Sequence, residues 1–149
     1  MTRRTECPFC AIVAGQDSAV REVAHNDSVV VFFPTDPAVL GHCMIVPRRH
    51  VEHLSDLTSA EVSHVMLAAQ TMSKSLRDAF QSEGINMVQS NGEAATQGVP
   101  HVHFHILGRR QVTVRRLVHV SRHQELAKQG SHYFALRNRM PTRMGRSSI

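Results

Sequence analysis

The sequence predicts an α+β fold: an antiparallel sheet with one long helix on one face and a short N-terminal helix. Three observations carry that expectation. One long segment has helical apolar spacing, short β-branched runs flank it on both sides, and these runs do not alternate with helices as βαβ units would. A chain of 149 residues is the size of one compact domain and can bury a core without disulfide staples. One domain over residues 1–110 is expected, followed by a basic C-terminal extension over residues 111–149 that is partly disordered.

Near the start, Ala11, Ile12, Val13 and Ala14 before Gly15 read as a short helix stopped by glycine, and alternation over residues 20–24 suggests a strand. Residues 28–33 are β-branched and aromatic. Residues 43–47 repeat that character after the turn-forming Pro34, Thr35, Asp36 and Pro37, so two neighbouring antiparallel strands are expected. Thr58 followed by Glu61 makes a capping box. After it, Val62, Val65, Met66, Ala69, Met72, Leu76 and Phe80 recur at helical spacing up to Gly84, a stripe that reads as core packing. Residues 85–89 read as another strand, residues 90–100 as a loop rich in Gly, Ala and Asn, and residues 102–107 as a last strand. Beyond Arg110, residues 112–114 and 117–120 have strand character, while residues 137–149 are polar, basic and expected to be disordered.

The net charge of +5 conceals an asymmetry: residues 1–108 hold 7 Lys/Arg against 11 Asp/Glu, whereas residues 109–149 hold 10 against 1. Such a tail can meet an anionic substrate or nucleic acid, yet no aromatic interleaving or recognisable nucleic-acid module accompanies it. A solvated extension is the expectation, with nucleic acid not an expected partner. No apolar run is long enough for a membrane span and the first residues lack the apolar middle of a secretory signal, so a cytoplasmic protein without a membrane partner is expected. Of the three cysteines, Cys7 and Cys10 are too close for an ordinary structural bridge and well spaced for a metal. Cys43, inside a strand, reads as a small core residue.

His101, His103 and His105 occupy every second position, which in a strand places all three imidazoles on one face and Val102, Phe104 and Ile106 on the other. Isolated histidines such as His25 and His64 read as ordinary surface or hydrogen-bonded residues. Two chemistries suit the triplet: a metal site that activates water, or attack by a neutral imidazole on phosphorus. The preceding residues 91–98 are small enough for backbone N–H groups to approach an anion, although they lack the spacing of a P-loop.

Residues 91–107 resemble the signature of the histidine triad (HIT) superfamily. The likeness extends to Cys7, Pro8, Phe9 and Cys10, to Gly41 and His42 before the strand ending at Pro47, and to Arg48, Arg49 and His50 after it. Together these are similar to the bacterial Hint-like branch. The resemblance implies an α+β protomer, usually a homodimer, that hydrolyses nucleoside phosphoramidates or related nucleotides through a covalent nucleotidyl-histidine intermediate. By position His103 is the nucleophile, with His101 and His105 beside it. Substrate contacts fall to Phe32, Asp36, Ser90, Asn91, Gln97, Gly98 and Val99. The resemblance also points to a structural zinc on Cys7, Cys10, His50 and His101, with His42 and His53 as alternative ligands. Nucleotidyl-transferase relatives carry glutamine where His105 stands, which favours hydrolysis.

Elementary chemistry supports those roles. A neutral imidazole has one nitrogen free to attack, and a backbone carbonyl accepting from the other N–H would fix its tautomer. His105, if protonated, would supply a proton to the leaving group, and N–H groups around Gly98 and Val99 would steady charge on phosphorus, so no cofactor is needed for the chemistry itself. The pattern departs from its relatives on the recognition side: Pro34 stands where they carry a ribose-binding aspartate, Ser90 where they carry Asn or Gln, and Gly98 where they carry Ser or Thr. The alternatives are a dinucleoside polyphosphate hydrolase, a nucleotide-binding adaptor with little turnover, and a zinc-dependent hydrolase that uses the three histidines as ligands.

Overall fold

The computed structural model describes residues 7–110. Along them run α1 (Pro8–Val13), β1 (Arg21–His25), β2 (Val29–Phe33), β3 (Cys43–Pro47), α2 (Ser59–Phe80), β4 (Gly84–Val88) and β5 (Phe104–Arg109), with 3-10 turns at Leu54–Asp56 and Glu93–Ala95. The strands form one five-stranded sheet in the order β1-β2-β3-β5-β4, each neighbouring pair antiparallel. This is the α+β class that the sequence predicts. The strand-like stretches at 112–114 and 117–120 and the polar stretch at 137–149 lie outside the described residues.

Both faces of the sheet are covered at its centre. Val29 and Val31 of β2, Cys43 and Ile45 of β3, and Phe104 and Ile106 of β5 pack with Val65, Ala68, Ala69, Met72 and Leu76 of α2. On the other face Val30, Phe32, Met44 and Val46 pack with Cys7, Phe9 and Ile12. Burial on both sides is why β2 and β3 read as continuous apolar runs, without the polar alternation of a half-exposed strand. Removing each of the Val, Ile, Leu, Met and Phe side chains among these from water contributes about 1.5–3 kcal/mol, which holds the short α1 as well as the long α2.

The capping box forms: Glu61 N donates to Thr58 Oγ1 at 3.2 Å and Thr58 N donates to Glu61 Oε2 at 2.8 Å. The helix ends before Gly84, because Gln81 adopts a left-handed conformation (φ 54°) and turns the chain toward β4. Met66 departs from the expected stripe and is 42% exposed. The buried positions follow from Val65 at three- and four-residue steps, and Met66 sits about 100° around the helix from them. At the other end of the chain, α1 starts earlier than expected, with Pro8 in its first turn, where the missing N–H of proline costs nothing. Among the described residues no helix is long and apolar enough to cross a membrane.

Gly41, which precedes His42, has φ +79°, and a Cβ there would lie 2.7 Å from the Phe80 ring and 2.9 Å from Leu76. Positive φ and a collision with the core act together, so Gly41→Ala is expected to cost about 2 kcal/mol or more. Urea denaturation measures this, and an unchanged midpoint would contradict the packing described.

Candidate functional site

The last strand begins two residues later than the sequence suggests, so of the triplet only His105 lies within β5, opposite Met44 of β3 and Val88 of β4. Before it the backbone is engaged elsewhere: Val102 N donates to Val51 O at 2.7 Å and His101 N to Val99 O at 2.8 Å. The alternation nonetheless continues through this stretch. Val102, Phe104 and Ile106 enter the core under α2, and on the opposite side the His101 and His103 imidazoles meet the ring of Phe9. Phe9 stands 5.1 Å from His103 and 6.1 Å from His101, centroid to centroid, and His103 stands 5.1 Å from His105.

Backbone groups decide which nitrogen of each ring carries hydrogen, because a carbonyl only accepts and an amide N–H only donates. His103 Nδ1 is 2.7 Å from the His101 carbonyl oxygen, so Nδ1–H donates and Nε2 keeps a lone pair. His101 Nε2 is 3.0 Å from the Pro47 carbonyl oxygen, so its lone pair is on Nδ1. Ala38 N donates to His42 Nδ1 at 3.0 Å, which leaves His42 Nε2–H to donate to His105 Nδ1 at 2.8 Å. His105 is thereby left with hydrogen on Nε2.

Neutral rings are what burial favours. It drives His42 down to about 3, with His105 and Arg109 adding to the effect. It drives His105 down to about 4, with His103 adding. His103 is also lowered by burial, opposed in part by its bond to the His101 carbonyl. At neutral pH the site therefore presents an acceptor nitrogen on His103 and a donor N–H on the adjacent His105.

A second cluster shares His101 with this one. Cys7 Sγ and Cys10 Sγ lie 3.5 and 3.7 Å from His101 Nδ1, Cys10 Sγ lies 3.3 Å from His50 Nδ1, and the four donor atoms lie within 4.8 Å of one another. A thiolate at about 2.3 Å and an imidazole at about 2.0 Å on tetrahedral zinc stand about 3.5 Å apart, so the donor set fits such an ion. None of the three cysteines is in a disulfide.

Two arginines fix the chain on which His50 sits. Arg48 donates to Asn26 O at 2.8 Å and to Val13 O at 3.2 Å. Arg49 grips Glu61 with two bonds of 2.7 Å and donates to Asp56 O at 2.8 Å. The hydrogen bond from Arg49 is the main reason the Glu61 carboxyl is held down to about 2. Neither alternative ligand joins the cluster: His42 is bonded to His105, and His53 precedes the 3-10 turn at Leu54–Asp56.

The residues expected to meet substrate are spread unevenly. Phe32 is 1% exposed, with its ring 5.7 Å from that of Phe9, while Asp36 is exposed beyond the half-buried Pro34. Asn91 Oδ1 accepts from Leu54 N at 3.1 Å and from Gln89 Nε2 at 2.9 Å. Gln97 Oε1 accepts from Gly92 N at 2.6 Å, and its Nε2 donates to Glu52 O at 2.8 Å and to Val99 O at 3.2 Å. The Asn91 and Gln97 side chains thus tie the glycine-rich loop to residues 52–54. The Ser90 carbonyl accepts from Gln89 Nε2 at 2.8 Å, Val99 packs against the α1-side core, and Gly98 is exposed.

Two residues at this site were not singled out for it from the sequence. In the sequence His42 stands out only through the family likeness and as an alternative metal ligand. Phe9 carried no signal beyond its place between the cysteines.

An antiparallel sheet with a histidine triplet at the mouth of a central strand defines a histidine triad protein. The HIT domain family matches residues 16–112, and the chain belongs to that family. The superfamily binds nucleotides and includes nucleotide hydrolases. The chain is 32% identical over 103 residues to "Protein hit" of Bacillus subtilis, covering 69% of this chain and 70% of the relative. It is 27% identical over 110 residues to adenylylsulfatase HINT3 of Arabidopsis thaliana, covering 74% of this chain and 55% of that protein. A zinc-bound histidine triad protein of Mycobacterium smegmatis shares the fold, with TM-score 0.78, 23% identity and coverage of 91% and 94% of the two chains.

The lowered histidines carry a sign for stability. Between the ordinary value of 6.5 and the folded values of about 3 for His42 and about 4 for His105, the unfolded chain binds more protons, so stability falls as pH is lowered through that window. The urea midpoint is expected to drop from pH 6.5 toward 4.5, less steeply in His42→Gln. Equal slopes in the two proteins would contradict the buried neutral pair.

Proposed function

We propose that this protein hydrolyses a nucleoside phosphoramidate, or a related nucleotide phosphate, through a covalent nucleotidyl intermediate on His103. The observation that carries the reading is the bond from His103 Nδ1 to the His101 carbonyl, which leaves Nε2 as the free nucleophile. Nε2 forms a bond to phosphorus as the bond to the leaving nitrogen breaks, and the His103 ring becomes cationic with its Nδ1–H still held by a carbonyl that favours that charge. The departing amine takes its proton from solvent, while the neutral His105 Nε2–H donates a hydrogen bond to the reacting phosphate. Water then attacks phosphorus as the bond to His103 Nε2 breaks, gives up its proton to solvent, and leaves His103 neutral again. His42 keeps His105 turned so that Nε2 is the donating nitrogen. Backbone N–H groups near Gly98 and Val99 steady the phosphoryl oxygens.

A structural zinc on Cys7, Cys10, His50 and His101 belongs to the same proposal, supported by the donor separations and by the zinc-bound relative. When bound it would tie α1 to the segment before β5 and to the segment after β3. The Arabidopsis relative's name, an adenylylsulfatase, supports transfer of a nucleotidyl group to water. A zinc-dependent hydrolase using all three histidines gains no support, since only His101 of the triplet belongs to the four-donor cluster. A cytoplasmic homodimer of the Hint-like branch, with the domain over residues 1–110 and a basic extension over 111–149, completes the reading. Exposed Met66 and Leu67 on α2 and Met87 on the edge strand β4 support the dimer.

The test is intact-protein mass spectrometry after rapid, acid-free quenching with an adenosine phosphoramidate, alongside steady-state turnover of that compound and of a dinucleoside tetraphosphate. Wild type is expected to gain an adenylyl mass that His103→Ala does not, with turnover of His103→Ala down about 10³-fold or more. Faster turnover of the tetraphosphate would move the substrate to dinucleoside polyphosphates. Nucleotide binding with neither adduct nor turnover would replace the enzyme with an adaptor.

Gly98 offers a gain-of-function test. No atom lies within 4 Å of the position a Cβ would take there, so serine fits. A hydroxyl reaching the phosphate would raise kcat/KM about 10-fold or more. An unchanged kcat/KM in Gly98→Ser would place the phosphate elsewhere.

A further inference from the structure

We infer that Phe9 is a positioning residue for His103, pressed into place by the four-donor cluster, so that metal occupancy and nucleophile geometry are mechanically one unit. The inference rests on the reading of His103 as nucleophile and of the cluster as a metal site. Phe9 sits between Cys7 and Cys10 in α1, a helix of six residues with no side-chain cap. So short a helix has little stability of its own. Its place is set by what its buried residues and its two cysteines touch.

The Phe9 ring meets three others: Phe32 at 5.7 Å, His101 at 6.1 Å and His103 at 5.1 Å, the last at 79°. His105 meets His103 with the same separation and angle. The nucleophile is therefore flanked by two edge-on rings, and its Nδ1–H is fastened to the carbonyl of His101, whose own ring supplies one donor of the cluster. Two routes lead from the cluster to His103, one through the His101 backbone and one through α1 and Phe9. The second can be altered without removing a metal ligand or a reacting nitrogen. If α1 lifts, the Phe9 wall goes with it, and the imidazole gains freedom to swing away from the line of attack.

The experiment compares wild type with Phe9→Leu and Phe9→Ala, each loaded with zinc, loaded with Co(II), and stripped of metal. Co(II) absorption reports whether the thiolate–imidazole cluster is intact, imidazole ¹H–¹⁵N resonances report His103, and kcat and KM are read separately. Phe9→Leu is expected to keep the Co(II) spectrum and KM while kcat falls about 10- to 100-fold. Its His103 resonances should shift or broaden. Stripping metal from wild type should move the same resonances in the same direction, and stripping it from Phe9→Leu should add only the smaller change carried through the His101 backbone.

An unchanged kcat and unchanged His103 resonances in Phe9→Leu with an intact Co(II) spectrum would overturn the inference. A loss confined to KM would also overturn it, making Phe9 a wall for substrate. If Phe9→Ala does not fold, Phe9→Leu and metal-free wild type still decide the matter. If wild type turns over no substrate, the reaction reading fails, while the resonances still test the mechanical link.

Discussion

The hydrogen bond from His103 Nδ1 to the His101 carbonyl, 2.7 Å long, is the constraint on which the site depends. It spans two residues of one extended segment, so it needs no distant partner to form. Yet it gives the ring a single orientation and a single tautomer. The same logic repeats around it, because each neighbouring imidazole is oriented directly or through one intermediate by a backbone group that can act in one sense only. A side-chain partner could rotate or titrate. A buried peptide group does neither.

Holding that segment in place is the work of the surrounding fold. His101 is bonded to Pro47 through its ring, and the adjacent Val102 N–H to Val51, so the chain between β3 and α2 embraces the triplet on its backbone side. Arg48 and Arg49 anchor that chain to α1, to the residues before β2, and to the first turn of α2. Val102 and Phe104 secure the opposite face in the α2 core. Burial, which elsewhere only stabilises, here also sets the charge state, since imidazolium is disfavoured away from water.

Much of this was legible in the sequence. The capping box at Thr58 and Glu61 marked the start of α2, and the continuous apolar runs marked β2 and β3, because each signal is local. The alternation of the triplet showed which way its side chains point. It did not show where the strand begins, since the sheet pairing of β3 with β5 ends at Ile45 and Phe104 and the residues before it are claimed by Val51 and Val99.

His42 was visible as part of a family likeness but not as the partner of His105. That pairing arises because Met44 lies opposite His105 and His42 is two residues before Met44 on the same face. The loop residues Asn91 and Gln97 looked like ligand contacts from the resemblance, yet their side chains are bonded to backbone within the fold. Composition carries no trace of such bonds, and no spacing rule places Phe9 on His103.

The most direct measurement of the central claim is the long-range ¹H–¹⁵N spectrum of the histidine side chains of the zinc-loaded full chain at neutral pH. The expected result is His103 neutral with hydrogen on Nδ1 and a bare Nε2, and His42 neutral with hydrogen on Nε2. A His103 that carries its proton on Nε2, or that is imidazolium at pH 7, would leave Nε2 without a lone pair for attack and would contradict the mechanism.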